Sequence, residues 1–230
     1  MVNNCINNIL DRLFQAHCPL CDAPSDGQLC QGCHQDIPLN HYCCTCCALP
    51  LPDQQNGLCG HCLSTNPSID HSLIPFRYAE PLDHLIGQFK FASNLPLGRL
   101  LSQLWLAHVD STPDRPEFLI PVPLHATRLR ERGYNQALEL AKLLGRQFDI
   151  PIDQYSCERI IDNPPQAGLK KQQRKKNIRG AFSLRHPIEA RHIALVDDVV
   201  TTGSTVTELA RLLKRSGIER VDVWALARTP

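Results

Sequence analysis

The sequence predicts an α/β fold, a parallel sheet flanked by helices, with a small cysteine-rich segment in front of it. Two observations support this prediction. Apolar stretches of strand length and helix length alternate toward the C-terminus, which is the order found in parallel α/β sheets. Eleven of the twelve cysteines lie before residue 63, mostly in CxxC pairs, and this arrangement is typical of metal-binding segments. The 230 residues suffice for one ordinary domain and a small accessory module.

Composition and charge exclude several classes of protein. The chain is 43% hydrophobic and 20% charged, and no apolar run reaches the roughly 18 residues that a membrane-spanning helix needs. We therefore expect no membrane insertion. No Lys or Arg precedes Arg12, so the N-terminus does not resemble a secretory signal, and we expect a cytoplasmic protein. A net charge of +1 gives no reason, over the whole chain, to expect nucleic acid or an anionic membrane as partner.

Residues 1–66 and residues 67–230 differ in composition, and we expect a domain boundary between them. The first segment is rich in Cys, Pro, Asn, Gln and Gly and has too few apolar residues to fold without a stabilising group. A reducing cytoplasm keeps cysteines as thiols, so metal explains them better than disulfide bonds do. The second segment begins with apolar residues at helical spacing and contains the predicted sheet.

The second segment alternates between helical and strand patterns. The spacing of apolar residues predicts helices near residues 82–89, 97–109, 135–148 and 205–216. Short apolar runs predict strands at residues 118–122, 193–199 and 220–226. The polar, basic stretch from about Pro164 to Gly180 predicts a long surface loop, and long loops in compact domains are usually functional.

The CxxC pairs predict two structural zinc sites. The first set has the pattern CPLC-x8-CQGC and consists of Cys18, Cys21, Cys30 and Cys33. In the second set Cys59 and Cys62 form the later pair, and the earlier pair is either Cys44 with Cys47 or Cys43 with Cys46. Four thiolates close the coordination shell of zinc, so we expect no catalytic role for the metal.

Two alternatives remain for these cysteines. They could be buried or redox-active thiols without metal, although four such pairs within 45 residues are hard to explain that way. A histidine could also replace one cysteine ligand, and the nearby candidates are His17, His34, His41 and His61. If zinc is the stabilising group, its loss should unfold this segment.

The segment IALVDDVVTTGST, residues 193–205, is the most informative in the chain. An apolar strand delivers Asp197 and Asp198 to its C-terminal end, where ligands bind in open α/β sheets. The next residues enter a helix, and their N–H groups and hydroxyls can converge on a phosphate; they are Thr201, Thr202, Gly203, Ser204 and Thr205. Carboxylates beside a phosphate site predict a ribose 5-phosphate. The alternative is a Ser/Thr-capped helix beside incidental acids.

Several segments together carry a resemblance to a known family. They are CPLC and CQGC, CCALPLP and CGHC, PVPLHATRLRERGYNQALELA, RIIDNPPQAGLKKQQRKKNIRGAF, and the acid-pair segment, which looks like the phosphoribosyl diphosphate signature of type I phosphoribosyltransferases. Over nearly its whole length the chain resembles the ComF/GntX family of competence-associated proteins. The resemblance implies a double zinc ribbon followed by a type I phosphoribosyltransferase-like domain. A CxxC pair directly before ALPL is the family register, which favours Cys44 and Cys47 as ligands, although the doubled cysteines depart from that pattern.

The resemblance also implies contacts to the ligand. The PVPLHATRLRERGYNQ segment supplies a loop that faces the diphosphate, with Arg128, Arg130 and Arg132 as candidate contacts. A guanidinium suits phosphate because it donates two hydrogen bonds at once. We expect at least one of the three to be a solvated surface residue instead. Lys90 is a further candidate, and the alternative is a lysine that extends its amine into water.

The implied chemistry is displacement of Mg²⁺-bound diphosphate from C1 of the ribose, through a transition state with oxocarbenium character. In that interpretation Asp197 and Asp198 hold the ribose hydroxyls and Thr201 to Thr205 hold the 5-phosphate. The basic stretch from Gln166 to Asn177 corresponds to the loop that closes over the reacting centre in related transferases. The sequence has no signature that identifies the acceptor.

A non-catalytic adaptor of the DNA-uptake machinery is the alternative function. The stretch KKQQRKKNIR, residues 170–179, contains six basic residues and no acid, and together with the ribbons it suits the phosphates of single-stranded DNA. The family's association with natural transformation and the use of external DNA supports this alternative and implies a competence helicase or a related component as partner. A fold alone does not decide between them.

Overall fold

A computed structural model describes residues 17–52, 57–91, 95–109, 115–162 and 178–230. The strands within these ranges are β1 (His71–Leu73), β2 (Phe76–Arg77), β3 (Phe118–Pro121), β4 (Cys157–Arg159), β5 (Phe182–Leu184), β6 (His192–Val200) and β7 (Arg220–Arg228). The helices are α1 (Gln31–Gln35), α2 (Gly60–Thr65), α3 (Leu82–Phe91), α4 (Leu95–His108), α5 (Ala126–Arg132), α6 (Gln136–Phe148) and α7 (Ser204–Arg215). No helix in the described ranges is long and apolar enough to cross a membrane.

The central sheet has five strands, all parallel. β6 lies between β3 and β7, and the other side of β7 pairs with β1 and β2. These two short strands follow one another along β7, with His71 opposite Asp222 and Phe76 opposite Ala227. Pro75 lies between them and has no N–H to donate to the ladder. The sheet and its helices confirm the predicted parallel α/β fold.

Side chains of β6 alternate between two apolar layers, because successive residues of a strand point to opposite faces of the sheet. Ile193 and Leu195 lie in the first layer, together with the buried side of α7. Ala194 and Val196 lie in the second layer, together with α3, α4 and α6. Trp105 of α4 is fully buried in that layer. Helices therefore cover both faces, as a parallel sheet requires.

β4 and β5 form a separate antiparallel pair. Arg159 of β4 lies opposite Phe182 of β5. The Gly180 N–H, just before β5, donates to a Glu208 carboxylate oxygen of α7 at 2.8 Å and ties the pair to the helix. The sequence does not predict this pair, since each strand spans three residues and shows too little alternation to be recognised.

The predicted elements after residue 80 all form, with ends shifted by one or two residues. The main difference is α5, which occupies the middle of a segment expected to be a loop. His125 starts this helix by accepting the Thr127 N–H on its Nδ1 atom at 3.3 Å. Most of the predicted basic surface loop, residues 163–177, lies outside the described residues. The domain boundary at residue 66 stays a prediction.

Two helix glycines allow a matched test of the packing around α6. An alanine Cβ at Gly145 would lie 2.8 Å from the Ile150 carbonyl oxygen, whereas nothing lies within 4 Å of a Cβ at Gly87 of α3. We expect Gly145→Ala to lower the free energy of unfolding by about 1–3 kcal/mol, because the backbone must shift. Gly87→Ala should raise it by about 0.5–1 kcal/mol through helix propensity. Urea denaturation followed by circular dichroism measures both; stabilisation by both substitutions would contradict the close contact at α6.

Candidate functional site

The first CxxC set converges on one point, and we refer to it as the first cluster. The Sγ atoms all lie within 4.8 Å of one another, and those of Cys21 and Cys30 are 3.6 Å apart. Zn–S bonds of about 2.3 Å in a tetrahedron separate the sulfur atoms by about 3.8 Å. The cluster, Cys18, Cys21, Cys30 and Cys33, therefore has the spacing of a closed four-sulfur zinc site.

The second cluster has the same geometry and consists of Cys44, Cys47, Cys59 and Cys62, with all Sγ atoms within 4.8 Å of one another. The Cys47 and Cys59 sulfur atoms are 3.8 Å apart. Cys46 instead donates its thiol to the Ile69 carbonyl at 3.0 Å, and Cys43 lies outside the cluster. Among the described residues, neither cluster includes a histidine.

Backbone N–H groups favour ionisation of one thiol in each cluster. Burial alone would raise the pKa of Cys44, but backbone donors, among them the Cys59 N–H at 3.3 Å, lower that pKa to about 7. Burial opposes ionisation of Cys18 too, and backbone N–H groups still lower its pKa to about 6. Burial and the neighbouring thiols raise the pKa of Cys62. A cation among the sulfur atoms would favour the ionised form of Cys62, and zinc supplies such a charge in four-sulfur sites.

The two clusters differ in their surroundings. In the first cluster only Cys18 is buried. In the second, Cys44, Cys59 and Cys62 are buried and belong to the first apolar layer of the central sheet. The second cluster is therefore part of the core that supports the sheet, whereas the first lies near the surface.

The acid pair lies inside β6, which continues to Val200. The two residues are adjacent, the Asp198 N–H donates to the Asp197 Oδ1 atom at 2.9 Å, and the Asp198 carboxylate is close enough to raise the pKa of Asp197. Asp198 is 8% exposed, and its Oδ2 atom lies 3.2 Å from the Nζ atom of Lys90. Lys90 stands in the last turn of α3, so this helix brings a positive charge to the carboxylate.

Asp197 faces a small recess at the end of β6, lined by Asp197, Val199, Val200, Thr201, Gly203, Thr205 and Val206. Burial and the negative charge of Asp198 raise the pKa of Asp197, and the charge of Lys90 opposes that shift. The protein therefore offsets only part of the negative charge of ionised Asp197. Ligand hydroxyls that donate to it, or a bound cation, would stabilise its charged form.

The loop between β6 and α7, Thr201–Thr205, is called the hydroxyl loop below. Gly203 has φ of 74°, a left-handed value that glycine adopts without steric cost. The Oγ1 atom of Thr202 lies 2.8 Å from the Ser204 Oγ atom and accepts the Ser204 N–H at 3.4 Å. The Thr207 N–H donates to the Gly203 carbonyl at 2.9 Å, so the helix starts directly from the loop. The N–H groups of its first turn then favour an anion at this end.

The three predicted arginines lie on α5 in different environments. The Nε atom of Arg128 lies 3.8 Å from the Oδ1 atom of Asp162. Arg132 donates to the Gln136 side-chain oxygen at 3.1 Å. Arg130 is exposed. Two of the arginines thus contact neighbouring side chains, and the third faces solvent.

Arg159 is a site residue that the sequence analysis misses. It lies in β4 with its guanidinium carbon 5.9 Å from the centroid of the Phe182 ring. Burial lowers the pKa of Arg159, the charges of Asp162 and Asp197 oppose this shift, and that of Arg128 adds to it. The charge of Asp197 thus acts on Arg159. The sequence RIIDN contains this arginine, but only the unpredicted β4–β5 pair brings it within electrostatic range of the acid.

Tyr134 and Gln136 are also missed, and they hold the end of α3. The Tyr134 hydroxyl donates to the Phe89 carbonyl, and the Gln136 side-chain amide donates to the Lys90 carbonyl at 3.1 Å. Gln136 is 2% exposed, so its polar atoms need such partners. The GYNQ sequence, which the resemblance places in a ligand loop, therefore anchors the helix that carries Lys90.

Comparison with known proteins assigns both parts of the chain. Residues 9–63 match the double zinc ribbon domain, and residues 135–230 match the phosphoribosyl transferase domain. Competence protein F of Haemophilus influenzae is 40% identical over 208 residues, which cover 87% of this chain and 90% of that protein. The chain belongs to the ComF family.

Other ComF relatives are similar over most of their length. The DNA utilization protein YhgH of Escherichia coli K12 is 35% identical over 220 residues, covering 92% of this chain and 96% of that protein. Competence protein ComFC of Bacillus subtilis is 26% identical over 213 residues, covering 89% of this chain and 85% of that protein. The ribbon match and the two four-sulfur clusters together support structural zinc in this ComF protein, as predicted.

Removal of zinc tests the role of the two clusters. The ribbon has too small a core to fold by itself, so we expect a strong chelator to release two zinc ions per chain and to make residues 17–66 sensitive to protease. A colorimetric metal assay and limited proteolysis read by mass spectrometry measure the two effects. Unchanged circular dichroism and protease resistance after complete zinc removal would contradict a structural role.

Matched substitutions serve as the control for this experiment. Cys33→Ser alters the cluster near the surface, whereas Cys62→Ser alters the cluster in the core. We expect Cys62→Ser to lower the midpoint of global thermal unfolding more than Cys33→Ser does. Equal losses would show that burial of the second cluster does not contribute to the stability of the sheet.

Proposed function

We propose that this protein binds a phosphoribosyl diphosphate together with Mg²⁺ at the end of β6, and that it serves the uptake or use of external DNA. One observation carries the proposal: β6 brings Asp197 and Asp198 next to the hydroxyl loop that opens α7. Both features lie at the carboxyl edge of a parallel sheet, where ligands bind in such folds. The match of residues 135–230 to the phosphoribosyl transferase domain supports the same ligand class.

Each part of this site suits one group of the ligand. The N–H groups and hydroxyls of the hydroxyl loop would hold the 5-phosphate, because the end of α7 attracts negative charge. Asp197 and Asp198 would accept hydrogen bonds from the ribose hydroxyls. Lys90 supplies positive charge at Asp198, and Arg159 lies within electrostatic range of Asp197, so both would attract the diphosphate. The carboxylates fit Mg²⁺, which prefers hard oxygen ligands and shares them with phosphates.

The chemistry that such a site can support is displacement of the diphosphate. A nucleophile forms a bond to C1 of the ribose while the C1–O bond breaks, and the diphosphate leaves with the bonding electrons. Bound Mg²⁺ would supply neutralisation of the leaving group. The residues of the chain hold the ribose and its phosphate in place and surround the reacting carbon, which favours the reaction through positioning and electrostatics.

The role in DNA uptake is inferred from the relatives. Two of the similar proteins are named competence proteins, and another is named a DNA utilization protein. The similarity covers 87% or more of this chain, so both the ribbons and the transferase-like part fall within it. We assign this protein to the same process, in the cytoplasm, with a competence helicase or a related component as its predicted partner.

Calorimetric titration of phosphoribosyl diphosphate with Mg²⁺ tests the ligand. We expect saturable binding to the wild type and an affinity lower by about 100-fold or more in a variant with both Asp197→Asn and Asp198→Asn, because two charged acceptors are lost. Binding should weaken when Mg²⁺ is left out. Absence of binding by a folded, zinc-loaded wild type would contradict the proposed ligand.

One control separates loss of binding from loss of carboxylates in general. Glu80→Gln with Asp83→Asn removes two carboxylates near the start of α3, away from Lys90, and should bind like the wild type.

The raised pKa of Asp197 makes the stability of the folded protein depend on pH. Above the ordinary pKa of an aspartate, near 3.8, ionisation of Asp197 favours the unfolded chain, so the folded protein loses stability as the pH rises. The midpoint of thermal unfolding of Asp197→Asn, relative to that of the wild type, should therefore be higher at pH 8 than at pH 5. An opposite trend would contradict the burial of the Asp197 charge.

Single-stranded DNA is a second candidate ligand, favoured by a specific sequence feature. Residues 170–179 contain six basic residues and no acid, in a chain whose net charge is only +1. Basic side chains that neutralise phosphates release bound counterions, which makes binding strongly dependent on salt. A non-catalytic adaptor would use this segment without turnover at the acid pair. The two candidate ligands use different segments, so one chain could bind both.

Neutralising the basic segment tests this second candidate. We expect replacement of Lys170, Lys171, Lys175 and Lys176 by Gln to weaken binding of a fluorescent oligothymidylate. Four lost phosphate contacts should reduce the slope of log affinity against log salt by about 3. The control replaces four exposed arginines of the described surface, Arg77, Arg99, Arg191 and Arg215, by Gln. Equal weakening in both variants would show that only net charge matters and that this segment is not the DNA site.

A further inference from the structure

Arg228 is a buried cation at the end of β7. It is 6% exposed, and a buried charge needs hydrogen-bond partners to offset the loss of water. β7 pairs with β6 so that Arg228 lies opposite Val200, the residue from which β6 passes into the hydroxyl loop. The neighbouring part of the first apolar layer contains the second cluster. Arg228 therefore stands between the candidate phosphate site and a metal cluster.

The guanidinium of Arg228 contacts both of these neighbours. Its Nε atom donates to the Cys47 carbonyl oxygen at 3.0 Å, and Cys47 belongs to the second cluster. Its Nη1 atom donates to the carbonyl oxygen of Val200 at 3.1 Å and also to that of Thr201, the first residue of the hydroxyl loop. One rigid, planar group thus fixes the backbone on both sides, which a lysine ammonium cannot do with the same geometry.

Charge links Arg228 to the metal as well. A Zn²⁺ ion held by four thiolates leaves a net formal charge of about −2, and a buried guanidinium beside it offsets part of that charge. Loss of zinc would release the Cys47 backbone from its fixed position and remove one end of the guanidinium's support.

We propose that Arg228 is a positioning residue that couples occupancy of the second cluster by zinc to the conformation of the hydroxyl loop. Its contacts reach the loop through the Val200 and Thr201 carbonyls and reach the cluster through Cys47. The coupling makes the second zinc ion a regulator of the loop as well as a support for the ribbon. The first cluster has no part in it.

Coupling between two sites is reciprocal in free energy. If the loop binds the sugar phosphate, which rests on the function proposed above, ligand in the loop must raise the affinity of the second cluster for zinc by the same factor by which zinc raises the affinity for the ligand. Couplings of this kind typically change affinity by about 5- to 150-fold. The effect should be absent at the first cluster, which makes it an internal reference.

Hydrogen exchange of the full-length, zinc-loaded protein tests the coupling without any ligand. We expect zinc removal to speed exchange of the amides of the hydroxyl loop, residues 201–205, by about tenfold or more in the wild type, while amides of α6 stay protected. In Arg228→Lys the loop should exchange rapidly even with both zinc ions bound. Arg220→Lys, at the other end of β7, also breaks a forked contact, to Asp222, and should behave like the wild type.

A second measurement brings in the ligand and separates the two proposals. Peptide-resolved alkylation during chelation reports zinc loss from each cluster. We expect phosphoribosyl diphosphate with Mg²⁺ to slow alkylation of the second cluster about tenfold in the wild type, to leave the first unchanged, and to have no effect on either in Arg228→Lys. A zinc-dependent loop with no response to this ligand would retain the coupling and contradict the proposed ligand. A loop whose exchange ignores zinc, or is the same in Arg228→Lys as in the wild type, would overturn the coupling.

Discussion

The parallel pairing of β6 with β7 is the constraint on which the rest of the structure depends. The two strands are paired from His192 opposite Arg220 to Val200 opposite Arg228, with Asp198 alone outside the register, and nearly all of their side chains are buried. Parallel strands in register end at the same edge of a sheet. The acid pair, the hydroxyl loop and the buried arginine therefore meet at one place, although the sequence separates Asp197 from Arg228 by a whole helix.

The second cluster depends on this same sheet. The Ser72 N–H of β1 donates to the Thr45 carbonyl at 2.9 Å, so the ribbon backbone is tied to a strand beside β7. The Asn40 side chain donates to the carbonyls of Ala48 at 3.0 Å and Ile74 at 3.2 Å. Backbone groups in a small ribbon have few partners of their own, and buried ones must be paired. The sheet supplies these partners, and the metal fixes the thiols that the sheet buries.

Much of the architecture follows from local signals. Long apolar runs and helical spacing predict β6, β7, α6 and α7 because each pattern extends over seven or more residues. The CxxC spacing and the acid pair are also visible locally, since their chemistry requires residues that are close in sequence. These features include the residues that carry the proposed function.

The parts that the sequence does not reveal are contacts between distant segments. β4 and β5 span three residues each, and their pairing brings Arg159 within electrostatic range of Asp197 from a segment without a strand pattern. No sequence pattern marks Arg228 as a buried residue. The register of β7 places it against Val200 and Cys47. No local pattern encodes such contacts, because they arise only when the strands have paired.

The polar residues around Tyr134 show how a motif can act on a site without touching a ligand. Tyr134 and Gln136 bind the last carbonyls of α3, which the helix itself leaves without partners. This holds the final turn of α3, and with it Lys90, at 3.2 Å from Asp198. The charge that faces the buried carboxylate is thus set by two side chains from a third segment. The segment that the resemblance assigns to a ligand loop thus also fixes the end of the helix that carries Lys90.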